Sequence, residues 1–459
     1  MSREEEYLGA ILGSLNGEAS TAPAPVWREE EFLCAVLRSA RGEKPAIPAP
    51  AWRTEAYFAA IAQTLQDHQP VPCKDVNLFD YDGTLAASYT AEEFAALDAL
   101  PKAPAHRGLI ALGWNWTLAD AKAYVAKYGK LIIGQEYATA DGKTHVHIRL
   151  LPGRTSPYVG LAVDGTAVVD WGDGSTPDTI TGSSLSTLVY TPQHAYPAPG
   201  KYEITIAVTG EAAIRGVDEG AAALLTKKAS AVNSNVTYTS AIEAVELAEN
   251  MGIGNRAFQA CYGLSTVVLS GACTSIPEKA FAACSRLLFV SIPSGVTSIG
   301  VDAFRSDRML LSVSIPKGVV TIGTDALAYN YGMYDVSVPE GVTAIPNELF
   351  YSSAGITSVV IPEGVVGIGS KAFGGGYVMT DLRIPSTVTA IAAQAFSNCC
   401  GLAEIHFYSA TPPAVANSNA FENLPADCRI YVPAGKLSAY TSAANYPSSG
   451  TYTYVEEDA

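Results

Sequence analysis

The chain has 459 residues, of which 48% are hydrophobic and 16% charged, with a formal net charge of −16. That length exceeds one ordinary domain, and the apolar content excludes a disordered chain. The acidic balance argues against nucleic acid as a partner, since such affinity rests on clustered Lys and Arg, and no apolar run reaches the roughly 18–20 residues of a membrane-spanning helix.

Residues 1–70 contain three similar stretches, SREEEYLGAILGSLNGE, WREEEFLCAVLRSARGE and WRTEAYFAAIAQTLQDH, which bring Arg3, Arg28 and Arg53 into register every 25 residues. Each has the apolar spacing of a short amphipathic helix, and Pro/Ala linkers separate them. Helices of about a dozen residues are marginal alone. They are expected either to cluster or to dock on repeated sites of a larger assembly. The acidic N-terminus lacks the basic start of an export signal, so no signal peptide is expected.

Residues 71–155 read as a small α+β module. Thr90 with Glu93 forms a capping box, and Thr117 with Asp120 opens a second helix that Gly129 closes. LIIGQEYA and THVHIRLL flank Ala140-Asp141-Gly142-Lys143, the pattern of a β-hairpin. At the start of the module stands Asp80-Tyr81-Asp82-Gly83-Thr84. It resembles the first motif of haloacid dehalogenase-type phosphatases, which would make Asp80 the nucleophile and Asp82 the acid/base. The stretch around it offers two helices and a hairpin instead of the repeated βαβ units such an enzyme requires, so a turn is the expected reading. His145 and His147 share a strand face, and a solvated face is expected there.

Residues 156–212 show strand alternation at Tyr202, Ile204, Ile206 and Val208, and a tight turn at Asp170-Trp171-Gly172-Asp173-Gly174. With His194-Ala195-Tyr196 and Gly200-Lys201-Tyr202, this stretch resembles the PKD family of immunoglobulin-like β-sandwiches. The resemblance implies that these residues build the fold and that Asp170 and Asp173 are turn carboxylates. Residues 213–245 are a transition.

From 246 to 406 the chain repeats every 23 residues. Phe258, Phe281, Phe304, Leu327, Phe350, Phe373 and Phe396 mark one column. Leu269, Ile292, Ile315, Val338, Ile361 and Ile384 mark a second, the last five each followed by Pro. Such self-similarity means a solenoid with one shared core. The coil A-F-x-x-C-x-x-L-x-x-V-x-I-P resembles the BspA-like leucine-rich repeats. Cys261 and Cys284, then Asp307, Asn330, Ser353, Gly376 and Cys399, occupy one slot per coil. The eight cysteines have no zinc-type spacing and are expected to be mostly buried thiols, with no metal and no cofactor. Residues 407–459 look like a capping coil and tail.

The expected fold is therefore a multidomain α+β chain: short helices, an α+β module, a PKD-like β-sandwich and a leucine-rich-repeat solenoid. Alternation along each coil buries Leu287, Val290 and Ile292 and turns their neighbours outward. The candidate ligand face is thus Leu288, Phe289, Ser291, Leu311, Ser312, Tyr334, Asp335, Thr380, Asp381, Arg383, Glu404 and His406, with a free apolar patch at its N-terminal end.

By resemblance, such modules are surface modules for adhesion. The expectation is a non-enzymatic binding protein contacting a protein or glycan receptor on a cell surface. The N-terminal region also resembles minor structural proteins of gut bacteriophages and prophages. That places the chain as a phage tail or virion receptor binder, with a bacterial surface adhesin, a purely structural virion part and, last, a phosphatase as alternatives.

Overall fold

The computed structural model describes residues 74–216, 224–226, 238 and 240–457. The helical units expected over 1–70 lie outside them. What it describes is mostly β, with few helices.

The first part is a four-stranded sheet with two helices on one face. β1 (Val76–Phe79), β2 (Leu85–Tyr89), β3 (Leu109–Trp114) and β4 (Leu131–Thr139) lie in the order β2-β1-β4-β3, with β1 parallel to β4. Helix α1 (Ala91–Ala95) carries the Thr90/Glu93 capping box, and α2 (Leu118–Tyr128) is capped by Thr117 and ends at Gly129 with φ 81°. Alternation splits the sheet between two cores. Val76, Leu78, Leu131 and Ile133 pack with Phe94, Trp116, Tyr124 and Val125 of the helical layer. Phe79 and Ile132 face the other way. Both faces are covered, which is why LII reads as a continuous apolar run.

The hairpin expected between β4 and β5 does not form. β5 (Thr144–Leu150) leaves the first sheet and pairs antiparallel with β8 (Gly200–Ile214) and β10 (Ile242–Glu246). With β6 (Tyr158–Asp170), β7 (Asp178–Tyr190), β9 (Leu225–Thr226), β11 (Met251–Ile253) and β12 (Thr266–Val268) they make an eight-stranded sheet, its main order β12-β10-β5-β8-β6-β7. The ladder therefore runs across residues 155 and 212, where separate modules were expected, and enters the solenoid through β10 and β12. Trp171 is fully buried, stacks on His194 at 4.4 Å and accepts at its carbonyl from the Tyr196 hydroxyl. Asp170 accepts from Gly172 N and Asp173 from Ser175 N, as turn carboxylates do.

The solenoid then advances one coil per 23 residues, each coil with a face strand and a shorter second strand. The face strands β14 (Phe289–Ser291), β16 (Ser312–Ser314), β18 (Asp335–Ser337), β20 (Ser358–Val360), β22 (Asp381–Ile384), β24 (Glu404–Phe407) and β26 (Arg429–Pro433) follow β12. Every residue of the Phe column is at most 2% exposed. Phe258, Phe281 and Phe304 stack at 5.3 Å, and Phe350, Phe373 and Phe396 at 5.4 Å. Each such ring contributes roughly 1.5–3 kcal/mol by burial. The slot three residues on is a second ladder: Asp307 Oδ1 accepts from Cys284 N at 2.7 Å, Asn330 Oδ1 from Asp307 N at 2.8 Å and Ser353 Oγ from Asn330 N at 3.2 Å.

The first sheet lies on the solenoid's face strands, and the repeat prolines explain how it is held. In a parallel ladder Ile292 N donates to Ser314 O, at 3.1 Å here, and the Ile292 carbonyl would next accept from residue 316. Residue 316 is Pro, which has no N–H. The same holds for Ile315 against Pro339 and Val338 against Pro362. Each bare carbonyl receives a side-chain donor from the α/β layer: Asn115 Nδ2 on Ile292 O at 2.9 Å, Trp116 Nε1 on Ile315 O at 3.1 Å and the Tyr124 hydroxyl on Val338 O at 2.7 Å. Where the next coil has Tyr408 instead of Pro, Tyr408 N donates to Ile384 O at 3.1 Å. Asn115 also bridges back, its Oδ1 accepting from Gly134 N at 2.9 Å. Around this row lie Lys127 with Glu340 at 3.0 Å, Lys130 with Ser358 at 2.9 Å, and Lys317 with Asp120.

Three substitutions test these accounts. Tyr124→Phe leaves the Val338 carbonyl buried and unsatisfied and should cost about 1–3 kcal/mol in chemical denaturation. In a Pro362→Ala background, which returns a backbone donor, the same substitution should cost markedly less; equal losses in both backgrounds contradict the proline account. Asp307 is fully buried, and desolvation raises its carboxyl pKa far above the ordinary value of about 4. The folded state thus keeps a proton that the unfolded state releases. The stability this carries is complete below pH about 4 and is lost as pH rises toward the raised folded value. Asp307→Asn keeps the acceptor for Cys284 N, so its melting temperature should exceed that of the wild type by a margin that grows from pH 4 to pH 8.

Candidate functional site

The structure divides the expected ligand face in two. Strand alternation turns Phe289, Ser291 and Ser312 away from the solenoid core as expected, but the first sheet sits on them. Phe289 is 1% exposed, with its ring 5.1 Å from Phe79 and packed on Ile132, and Ser291 and Ser312 are 7% and 0% exposed. Leu288, Leu311 and Tyr334 are half-buried at its edge, and Asp335 lies on β18 in the same row. The approach is close enough that a Cβ on Gly134 would fall 2.8 Å from Ser291 Cβ and 2.9 Å from Ser314 Cβ. The free apolar patch is therefore an intramolecular contact, and the expected exposure of these residues is corrected. Phe289→Ser should therefore destabilise the fold by about 3–5 kcal/mol, read as a loss in thermal and denaturant midpoints.

The C-terminal half of the face is open. Its sheet runs β22-β24-β26-β27, with β27 spanning Thr453–Glu457. Register pairs Asp381 with Glu404 and Arg383 with His406 across β22 and β24, and His406 with Tyr431 across β24 and β26. Residues two apart on a strand share a face, so Asp381, Arg383, Glu404, His406 and Tyr431 converge, with Thr380 exposed beside them. Arg383 Nε donates to Asp381 Oδ2 at 3.0 Å, and this bond helps hold the guanidinium charged. The Tyr431 hydroxyl donates to Glu404 Oε1 at 3.1 Å, and its ring stacks on His406 at 4.4 Å. His406 Nδ1 lies 2.8 Å from Glu457 Oε1. Burial raises the Tyr408 phenol pKa, keeping it neutral at the rim.

The expected face contained Asp381, Arg383, Glu404 and His406 but not Tyr408, Tyr431 or Glu457. Tyr431 had a signal: RIYVP continues the apolar alternation of EIHF one coil earlier. Glu457 comes from the tail, where the 23-residue step has ended.

The other candidate positions are structural. Asp80 is 2% exposed in the β1–β2 turn, where its Oδ1 accepts from Tyr81 N at 2.8 Å and its Oδ2 lies 2.6 Å from His106 Nε2. Asp82 Oδ1 accepts from Thr84 N at 2.9 Å, and the turn's Gly83 lies against Leu288 and Phe289. Two of the nearby lysines, Lys127 and Lys130, are engaged on the solenoid. His145 lies between Glu203 at 2.7 Å and Asp141 at 2.9 Å. Burial opposes its charged form, yet these two hydrogen bonds outweigh it and raise the pKa. Five of the described cysteines are buried, and burial pushes Cys399 and Cys428 up to about 12, so these thiols are inert.

Residues 225–333, 251–379 and 321–442 match the BspA type leucine rich repeat in six copies. The solenoid is a BspA-type leucine-rich repeat region. Among solved structures, a leucine-rich repeat protein of T. pallidum aligns at 26% identity over 30% of this chain, with a TM-score of 0.28, and the chain spans 64% of that protein's length. A leucine-rich repeat protein from Bacteroides ovatus aligns at 14% identity over 60% of this chain and 79% of its own, with a TM-score of 0.33. The pneumococcal vaccine antigen PcpA aligns at 17% identity over 47% and 68%, with a TM-score of 0.32. No curated protein matches the chain.

Proposed function

We propose that this leucine-rich repeat protein is a non-enzymatic binding protein of the surface-adhesin type, and that it contacts a protein or glycan receptor on a cell surface through the open C-terminal half of its solenoid face. One observation carries this reading. The α/β layer covers the face as far as Ser358 and Glu363, leaving β22, β24 and β26 to display Thr380, Arg383, Tyr408 and Tyr431. An Arg beside aromatic rings on a rigid sheet is the composition that dominates recognition surfaces, and a sheet anchored by a continuous core loses little entropy on binding. The virion-borne reading would use the same face and differs in where the chain is displayed; the BspA-type repeat speaks for the adhesin.

The test is labelled full-length protein on a glycan array and on bacterial and epithelial cells. Arg383→Glu with Tyr408→Ser should lower binding at least tenfold with unchanged melting, whereas Lys201→Ala, an exposed residue on β8, should not. Full binding by a folded double variant would remove this face from the contact.

A further inference from the structure

Inside the open face, His406 presents an arrangement that its hydrogen bonds leave incomplete. The residue is 9% exposed and its Nε2 has no hydrogen-bond partner. That atom points between two carboxylates, 3.4 Å from Asp381 Oδ1 and 3.5 Å from Glu404 Oε2, and Asp381 Oδ1 is likewise without a hydrogen bond. On the other side of the ring, Glu457 is a carboxylate and can only accept, so Nδ1–H donates to it. In the tautomer with Nε2 unprotonated, its lone pair faces two carboxylate oxygens. Three acceptors facing one another repel unless a positive charge sits among them.

We propose that Asp381, Glu404 and His406 form a binding site for a divalent cation of the zinc class. The three ligand atoms lie within 4.8 Å of one another. A tetrahedral centre with bonds of about 2.0–2.1 Å sets its ligand atoms about 3.3–3.4 Å apart, close to the two distances from Nε2. One imidazole and two carboxylates make a borderline-hard donor set suited to Zn²⁺, and three protein ligands leave a fourth position for water or a partner's donor atom.

The outer contacts fit the same reading. Each ligand is held by its other polar atom: Asp381 Oδ2 by Arg383, Glu404 Oε1 by Tyr431 and His406 Nδ1 by Glu457. Such partners orient metal ligands and leave the coordinating atom free. Three carboxylates against one guanidinium also leave the cluster negative, so a cation neutralises it where a ligand would land. The site does not depend on the receptor-binding reading, because it can be tested with no partner present.

The experiment is calorimetric titration of ZnCl₂ into the metal-stripped full chain at pH 7.4 in a non-chelating buffer, with melting followed in parallel. Wild type should bind one zinc at this site with micromolar or tighter affinity and melt higher with zinc than without. The isosteric Glu404→Gln and the truncating His406→Ala should each weaken binding at least 100-fold and lose the zinc-dependent shift. Glu457→Gln, which leaves all three ligands in place, should weaken it 10- to 100-fold. Melting without zinc reports folding, and should His406→Ala fail to fold, Glu404→Gln and Glu457→Gln decide. One opposing outcome is absence of zinc binding by wild type. That result, or unchanged zinc affinity in folded Glu404→Gln, overturns the proposal.

Discussion

A missing N–H organises this molecule. The repeat places Pro one step after the last face residue, and in a parallel stack that position should donate to the coil before it. Several coils of prolines therefore leave a row of buried carbonyls, each costly without a partner. The α/β layer supplies an amide, an indole and a phenol at the matching spacing: Asn115, Trp116 and Tyr124 on Ile292, Ile315 and Val338. The layer and the solenoid are thus completed by each other. Gly134 follows from the same contact, because β4 must come within a side chain's width of Ser291 and Ser314.

What could be read from the sequence was what the period repeats. The Phe column, the second apolar column and the slot shared by Cys261, Asp307 and Asn330 all recur at fixed spacing, so one coil stands for the rest. Helix ends were equally legible, because Thr90, Thr117 and Gly129 act on residues a few places away. The covered face was not. Asn115 lies 177 residues from the carbonyl it holds, and nothing near Phe289 signals that Phe79 lies over it. β5 misled for a related reason: Asp141-Gly142 does make a turn, but a turn specifies a change of direction and not which strand comes next. Glu457 reaches His406 from a tail with no repeat to align it.

The division of the face also separates two kinds of charged contact. Across the covered part, ion pairs such as Lys127 with Glu340 sit at the rim with their side chains about half exposed, and each is worth little. In the open part the charges share partners, so Asp381, Arg383, Glu404 and Glu457 act as a group around the His406 ring. The Asp80 turn is of neither kind: the Asp80 carboxylate is buried beside His106 and shapes a loop whose Gly83 meets the solenoid.

The row of donors has a mechanical consequence. A solenoid coil ordinarily touches only its neighbours, so a pull on its end removes coils one after another, each at a small step in force. Here α2 and β4 lie across several successive coils, joining Ser294 near one end and Glu363 at the other. A load applied at Glu457 would peel the final coils singly and then meet a block in which several coils must yield together. For a chain held at one end and tethered to a surface at the other, that block is a stop: the terminal coils give under tension while the braced segment keeps its length.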